Sequence, residues 1–161
     1  MVPDAEIDLS VERLQELDRA IADTSSLIYA EGAGFLAHLT DLIRVSTVPG
    51  VIEEIGHEMP TVHVIESASP ELDVDLQVVA TAEREQSAVI SDDKDILARA
   101  TQSELECYTA LEMLELTLLR GKITLIEWDA CRKRLLAIAN YHPRTVHAGQ
   151  MLHWAVRKQV G

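Results

Sequence analysis

The feature that most constrains the fold of this chain is the alternation of short apolar segments with longer segments of helical pattern. Apolar runs of strand length occur at 19–22, 44–48, 61–65 and 88–90, with a fifth candidate at 105–108. Helical patterns fill the intervals between them. Strands that are separated by helices form parallel sheets, because the chain must cross back over the sheet before the next strand begins. The sequence therefore predicts an α/β fold in which a central parallel sheet carries helices on both faces.

The last third of the chain predicts helices alone. The helical pattern runs over 109–120, 124–139 and 144–158, and Gly121 suits the end of the first of these helices. Near the start of the chain, Ser10 is expected to cap a short helix that carries an apolar stripe. These helices extend the alternating region at both of its ends.

The length of the chain is typical of a single domain. It has 161 residues, and 47% of them are apolar, which is enough to bury a sizeable core. We expect an N-terminal extension at 1–18, the α/β domain at 19–140, and a helical tail at 141–161 that packs on the same domain.

The charge of the chain is strongly acidic. Its 27 acidic and 14 basic side chains give a formal net charge of −13. Most of this excess is explained by a solvated surface, but some carboxylates could also converge on a cation. The excess argues against broad nonspecific binding to nucleic acid, which uses a basic face. Basic residues come late in the chain, where they either support helices or form a patch that holds a phosphate backbone: Arg120, Lys122, Arg132, Lys133, Arg134, Arg157 and Lys158.

Several features of the sequence predict a cytoplasmic protein that does not enter a membrane. Cys107 and Cys131 lie outside any metal-ligand spacing, so free buried thiols are expected for both. The chain does not open on a basic signal segment, and it contains no apolar run of about 20 residues. A reducing compartment agrees with these observations.

Acidic residues follow two of the predicted strands at the point where each strand ends. Asp23 comes directly after the first strand, and the sequence Ser91-Asp92-Asp93 follows the strand at 88–90. Ligand sites in open parallel sheets form at the carboxyl ends of the strands. These side chains are therefore expected on one rim of the sheet.

Two helices supply further acids near the same rim. Glu53 and Glu54 lie in the helix after the second strand, and Asp73 and Asp75 lie at the start of the helix that leads to the fourth. Each acid also has an ordinary explanation as a solvated helix face or as a helix cap. In the same way Asp93 could cap its helix and Asp23 could hydrogen-bond its own turn through Ser25. All of these acids lead to one edge of the sheet. The ordinary explanations therefore account for the whole set less well than for each acid taken alone.

Carboxylates that converge in this way need a positive partner. Two of them about 4 Å apart repel by about 4 kcal/mol at an effective dielectric constant of about 20. A set of oxygen ligands suits Mg²⁺ or Mn²⁺ rather than zinc. Water on such an ion is a nucleophile that can attack a phosphodiester. A metal-dependent hydrolase is therefore one function that these residues predict.

The order and local context of the acids resemble a PIN domain. AIADTSSLIYA resembles the start of that family, VPGVIEEI its segment with a helical Glu, DLQVVATAERE its helix that opens with an acid, and AVISDDKDIL its last acidic strand end. The resemblance selects one acid from each segment and places hydroxyls beside the first and last of them. The site that it implies has Asp23, Glu54, Asp75 and Asp93 as catalytic and metal-binding residues, with Ser25, Ser91 and Asp92 in supporting positions.

The resemblance also implies a fold and a function. It implies a three-layer α/β/α sandwich and a Mg²⁺- or Mn²⁺-dependent endoribonuclease that hydrolyses phosphodiester bonds of single-stranded RNA. Many members are toxins that pair with an antitoxin protein and form homodimers. The alternative is a PIN-like nucleic-acid-binding or interaction protein with little or no catalysis, which the acidic surface favours. A phosphatase of the haloacid-dehalogenase type would require a second Asp at the position of Ser25, so that class fits poorly.

Overall fold

The computed structural model of the chain describes residues 4–160, with side chains from Glu6 to Val160. These residues group into two compact units. The sheet unit consists of residues 18–28 and 43–110, and the helical unit consists of the described residues within 1–17, 29–42 and 111–161. The expected division into an extension at 1–18, a domain at 19–140 and a tail at 141–161 stays a prediction.

The described residues alternate between helices and strands as far as the fifth strand, with two helices between the first and second strands, and they form helices alone after the fifth. The strands are β1 Arg19–Ala22, β2 Arg44–Thr47, β3 His63–Val64, β4 Ala88–Ile90 and β5 Cys107–Tyr108. The helices are α1 Asp4–Glu16, α2 Thr24–Ala33, α3 Leu36–Thr40, α4 Pro49–Ile55, α5 Val74–Glu85, α6 Lys94–Gln102, α7 Ala110–Leu119, α8 Leu125–Ile138 and α9 Pro143–Val160.

All five strands lie in one parallel sheet with the order β3-β2-β1-β4-β5. The central strand β1 pairs on both sides, so that Ala20 faces Val45 of β2 and Ala88 of β4. Its last three residues are buried, as are those of β2 and all of β4. The predicted α/β fold with a central parallel sheet is confirmed.

Helices cover both faces of the sheet unit. Strands β2 and β3 are added to the sheet successively on one side of β1. The chain then crosses over the sheet, and β4 and β5 are added on the other side of β1. Because parallel crossovers are right-handed in about 98% of cases, α4 lies on one face and α5 and α6 lie on the other. Helix α5 packs on β1 and β4. This arrangement agrees with the expected three-layer α/β/α sandwich.

The strands β3 and β5 are shorter than the sequence predicted. Strands were expected at 61–65 and 105–108, but only His63–Val64 and Cys107–Tyr108 join the ladder. The amides just before these strands are used in backbone turns and not in the sheet. Val62 N–H donates to the Met59 carbonyl, and Leu105 N–H donates to the Ala100 carbonyl. Each strand therefore begins two residues later than its apolar pattern does.

Helix α7 forms the centre of the helical unit. Nearly all of its residues are buried, which is typical of a helix with neighbours on every side. It ends before Gly121, whose φ of +72° confirms the predicted stop. Helix α9 approaches α7 closely at Gly149, where an added Cβ would lie 2.5 Å from a Leu111 methyl group.

The first helix differs from its prediction. Helix α1 begins at Asp4, so Ser10 lies inside the helix and donates its hydroxyl to the Glu6 carbonyl instead of capping the helix. The cap expected there is therefore wrong. Helix α1 packs against α9. None of the helices that the structure describes combines the length and the hydropathy needed to cross a bilayer.

Candidate functional site

Asp23 lies at the point of the sheet where the order in which strands are added reverses. The sheet grows outward from β1 to one side and then from β4 to the other, so the gap between β1 and β4 is the topological switch point. Asp23 directly follows β1, and its backbone N–H extends the ladder by donating to the Ile90 carbonyl of β4. The polar residues that follow these two strands are thereby brought side by side.

The carboxylate of Asp23 is buried, and both of its oxygens accept hydrogen bonds. Only 3% of the residue is exposed. Oδ1 accepts a bond of 2.9 Å from the Ser26 backbone N–H and lies 2.6 Å from the Ser26 hydroxyl, while Oδ2 accepts a bond of 2.5 Å from the Ser91 hydroxyl. Buried charge is tolerated only with partners of this kind. The local contacts therefore fix the position of this carboxylate.

Ser91 joins the first acid of the site to the last. Its hydroxyl donates to Asp23 Oδ2 and accepts a bond of 3.0 Å from the Asp93 backbone N–H. Asp93 in turn caps α6, since its Oδ1 accepts from the N–H groups of Asp95 and Ile96. The ordinary explanation of Asp93 as a helix cap is thus correct, and its other oxygen, Oδ2, makes no hydrogen bond among the described residues.

Glu54 reaches the same rim from α4. The Thr24 hydroxyl, just beyond Asp23, donates a bond of 3.1 Å to Glu54 Oε1. Glu53 is also exposed but has no such contact in the part of the chain that the structure describes. Thr24 therefore links Glu54, the acid that the resemblance selects from this helix, to the residue next to Asp23.

Asp75 shows that the four predicted acids share one electrostatic environment. Partial burial raises the pKa of its carboxyl, and the negative charges of Asp93, Asp23, Glu54 and Asp73 raise the pKa further. The charges that act on it most are all negative. Asp23 lies 52 residues before Asp75 along the chain and Asp93 lies 18 residues after it, yet both are close enough for their charges to act on the Asp75 carboxyl.

The free oxygens of these side chains fit a hard divalent cation in their chemistry. Both oxygens of Asp75, Oδ2 of Asp93 and Oε2 of Glu54 accept no hydrogen bond among the described residues, and Asp23 Oδ2 retains a lone pair. As the side chains stand, however, no three His, Cys, Asp or Glu residues in the described part of the chain are arranged to hold one ion. Coordination would require Glu54, Asp75 and Asp93, which are all exposed, to turn inward.

The supporting residues expected from the sequence take three different positions. Ser91 contacts Asp23 directly. Asp92 accepts a bond of 3.1 Å from the backbone N–H of Ala110, at the start of α7. Ser25 is exposed and makes no contact with Asp23 among the described residues, because Ser26 makes it instead. A supporting role of Ser25 toward a ligand stays a prediction.

Ser26 is the contact that sequence reasoning missed. Asp23 precedes α2, and an N-cap side chain accepts from the backbone N–H three residues later, which here belongs to Ser26. Counting from the cap would have selected Ser26 instead of Ser25. The link from Thr24 to Glu54 had no comparable pattern, since it joins two elements that are distant in sequence.

Several of the late basic residues serve the helical unit itself. Arg120 donates to the carbonyls of Leu14 and Leu17. Lys122 pairs with Asp41 and Lys133 with Asp129, each at 2.9 Å. These contacts support the structural explanation for those residues.

Comparison of the chain with protein-family models, with curated proteins and with solved structures gave no match.

Proposed function

We propose that the chain is a metal-dependent phosphodiesterase that cleaves single-stranded RNA at the rim formed by Asp23, Glu54, Asp75 and Asp93. The observation that carries this proposal is the unbalanced negative charge around Asp75, whose pKa is raised by burial and by the other three carboxylates. A rim of this kind favours a cation strongly, because bound positive charge removes the mutual repulsion of the acids. The resemblance of the same four segments to a PIN domain supports the choice of reaction.

The four acids would have two different roles in such a site. Asp23 is held rigidly by Ser26 and Ser91 and would act as the fixed ligand. Glu54, Asp75 and Asp93 are exposed and would close on Mg²⁺ or Mn²⁺. The bound ion would supply an activated water and offset the charge of the phosphate.

Adjacent acids in α4 offer a matched test of this site. We expect wild-type protein with Mn²⁺ to cleave a fluorescent single-stranded RNA, and Glu54→Gln to cleave it about a hundredfold more slowly, which corresponds to about 2.7 kcal/mol. Glu53→Gln removes the same charge from the same helix, one residue away, and should retain activity. Equal losses in the two variants would show that general surface charge, not the rim, is responsible.

Asp75 and Asp95 provide a second pair. Each lies in the first turn of its helix and carries an exposed carboxylate. Asp75→Asn should abolish both cleavage and Mn²⁺ binding measured by calorimetry, whereas Asp95→Asn should leave both intact. Wild-type protein that neither binds Mn²⁺ or Mg²⁺ nor cleaves varied RNA substrates would refute the proposal.

A second candidate function is binding without turnover. The net charge of −13 and the absence of an assembled group of three metal ligands among the described residues favour a PIN-like nucleic-acid-binding or interaction protein. Such a protein would bind Mn²⁺ and a partner such as an antitoxin but leave every RNA intact. Calorimetry and the cleavage assay on the same sample separate the two functions.

The proposed place of action is the cytoplasm. Neither Cys107 nor Cys131 is part of a disulfide, which agrees with a reducing compartment, although Cys107 is half-buried and only Cys131 is buried as expected. Burial raises the pKa of the Cys131 thiol, so this residue stays protonated and unreactive.

A further inference from the structure

A cavity of about 300 Å³ opens in the sheet unit at the end of the sheet opposite the acidic rim. Two arginines that line it, Arg19 and Arg44, are the first residues of the adjacent strands β1 and β2. Asp23 follows the last residue of β1, which places it about 13 Å from Arg19 along the strand. The cavity is therefore separate from the carboxylates of the rim.

The register of the sheet brings these two arginines side by side. Arg19 and Arg44 are partners in the parallel pairing of β1 with β2, so their backbones are about 4.8 Å apart and their side chains leave the same face of the sheet. Like charges in such a position repel each other. The sheet unit has 16 acidic side chains and only five basic ones, so this pair is a local concentration of positive charge in a negative unit.

Most hydrogen-bond donors of the two guanidinium groups are unused. One nitrogen of Arg19 donates a bond of 3.3 Å to the Gln86 carbonyl. The side chain of Arg44 makes no hydrogen bond or ion pair with any residue that the structure describes. Each guanidinium carries five N–H donors in a planar fork that matches two oxygens of a phosphate group. The pair can therefore bind a phosphate through several charge-assisted hydrogen bonds.

A nearly buried hydroxyl in the same cavity also lacks a partner. Ser46 follows Arg44 by two positions on β2, so both leave the same face of the sheet, and Ser46 is only 7% exposed. Its hydroxyl makes no hydrogen bond among the described residues. Every fully buried side-chain polar atom in that part of the chain has a partner, so this hydroxyl is in contact with the cavity and is not sealed in the core. It is a donor that a ligand oxygen can satisfy.

The other residues around the cavity limit the size and chemistry of a ligand. Glu85, the last residue of α5, lines the cavity and forms an ion pair of 3.1 Å with Arg84. The apolar part of the lining consists of Ala20, Ile21 and Ile65. Sites for small molecules have volumes of about 300–1,000 Å³, so this cavity suits a ligand at the small end of that range.

We propose that this cavity binds a small phosphate monoester, with the phosphate held between Arg19 and Arg44. A phosphate monoester carries a charge of about −1.5 to −2 at pH 7 and three acceptor oxygens, which matches two guanidinium groups and the Ser46 hydroxyl. A hydroxyl group on the rest of the ligand can donate to Glu85, which accepts hydrogen bonds. A phosphodiester of a nucleic acid carries one charge and belongs to a polymer, which a cavity of this size does not enclose.

Calorimetry on the full-length protein in the presence of a chelator tests the ligand class. The probes are ribose 5-phosphate, inorganic phosphate and the dicarboxylate succinate. Ribose 5-phosphate should bind with a dissociation constant below about 1 mM at about 0.1 M salt, and inorganic phosphate should bind more weakly. Succinate should bind at least about tenfold more weakly than ribose 5-phosphate. Equal affinity for succinate would overturn the assignment to phosphate.

Substitutions in the cavity test the assigned contacts. Arg19→Gln and Arg44→Gln should each raise the dissociation constant of ribose 5-phosphate about tenfold or more. Arg44→Lys should restore little of this loss, because a lysine keeps the charge but lacks the planar fork. Ser46→Ala should raise the dissociation constant about fivefold, because it removes one hydrogen bond to a charged group.

An arginine elsewhere in the sheet unit provides the matched control. Arg99→Gln removes the same charge from an exposed position on α6 that does not line the cavity, and it should leave the dissociation constant unchanged. Equal losses in Arg44→Gln and Arg99→Gln, or a wild-type protein that binds neither phosphate probe at about 10 mM, would overturn the proposal. Circular dichroism of each variant shows whether it is folded. The site does not depend on the nuclease proposal, since the assay contains neither metal nor RNA and no variant changes the acidic rim.

Discussion

Burial raises the pKa of two carboxylates of this protein, Glu115 and Asp75, but the first is surrounded by hydrogen-bond donors and positive charge and the second by negative charge. Glu115 in the helical unit is only 1% exposed, and burial raises the pKa of its carboxyl, while hydrogen bonds from His153 and Trp128 and the charge of Arg132 act in the opposite direction. Asp75 in the sheet unit is exposed and has only negative charges as its main neighbours. The side chain of Glu115 is paired with Trp128 and His153, whereas that of Asp75 has no hydrogen-bond or ion-pair partner among the residues that the structure describes.

The surroundings of Glu115 form a closed network across three helices. Its Oε1 accepts a bond of 2.9 Å from Trp128 Nε1, and its Oε2 lies 3.0 Å from His153 Nδ1. The rings of Trp128 and His153 stack with centroids 3.7 Å apart, and the Arg132 guanidinium lies 5.8 Å from the Trp128 ring. Because no buried side-chain polar atom among the described residues lacks a partner, this network leaves nothing for a ligand to supply.

The largest effect that we predict follows from breaking this network. Glu115→Leu leaves the Trp128 N–H and the His153 ring buried without an acceptor, and we expect the free energy of unfolding to fall by about 3–5 kcal/mol. Urea denaturation followed by circular dichroism measures this change.

Removal of the second partner provides the control for Glu115. The double variant Glu115→Leu/His153→Leu should be more stable than Glu115→Leu alone, because it no longer buries an unpaired imidazole. A loss below about 1 kcal/mol in the single variant would show that the network contributes little and that the contrast with Asp75 is unfounded.

An intermediate effect is expected where the acidic rim itself contains a structural contact. Ser91→Ala removes the hydroxyl that donates to Asp23 Oδ2 and accepts from the Asp93 N–H. Because Asp23 is buried, we expect a loss of about 1–3 kcal/mol in the free energy of unfolding.

Ser25 is the matched control for this prediction. Ser25→Ala changes a serine that is exposed and does not contact Asp23, so the free energy of unfolding should change by less than about 0.5 kcal/mol. If both serine variants proved equally stable, Asp23 would not depend on its hydroxyl partners, and the rim would be solvated throughout.

The two regions also differ in how far the sequence could predict them. Strands β1 and β4 have the predicted bounds, because each is a buried apolar run that stops at a polar residue. The rim followed from that pattern, since parallel strands end at the same edge. Ser25 was chosen because the resemblance places a polar residue two positions after the first Asp, whereas the start of α2 brings the backbone N–H of Ser26 to the Asp23 carboxylate.

The network around Glu115 could not be predicted in the same way. Its partners lie 13 and 38 residues away along the chain, and only the packing of α7, α8 and α9 brings them together. His153 has a structural role in this network, because it faces Glu115 and stacks on Trp128. The sequence alone offered no pattern that assigned Glu115 to it.

The smallest effect that we predict is a gain in the free energy of unfolding, opposite in sign to the loss expected for Glu115→Leu. Asp75→Asn removes one of several repelling charges without removing a hydrogen bond, so metal-free protein should become more stable at pH 7 by about 0.5 kcal/mol. Glu115→Leu should do the opposite. Urea denaturation in the presence of a chelator measures both.

The dependence of this gain on pH identifies its cause. A carboxyl whose pKa is raised on folding contributes stability below its unfolded pKa of about 3.9, and that contribution is lost as the pH rises through the higher folded value. The advantage of Asp75→Asn should therefore be present at pH 7 and disappear near pH 3.5. Added Mn²⁺ should reverse it at pH 7, because the ion stabilises only the protein that retains the carboxylate. An advantage that persists unchanged at low pH would mean that Asp75 does not feel the charges of Asp23, Glu54 and Asp93, and the rim would then be a set of independent surface acids.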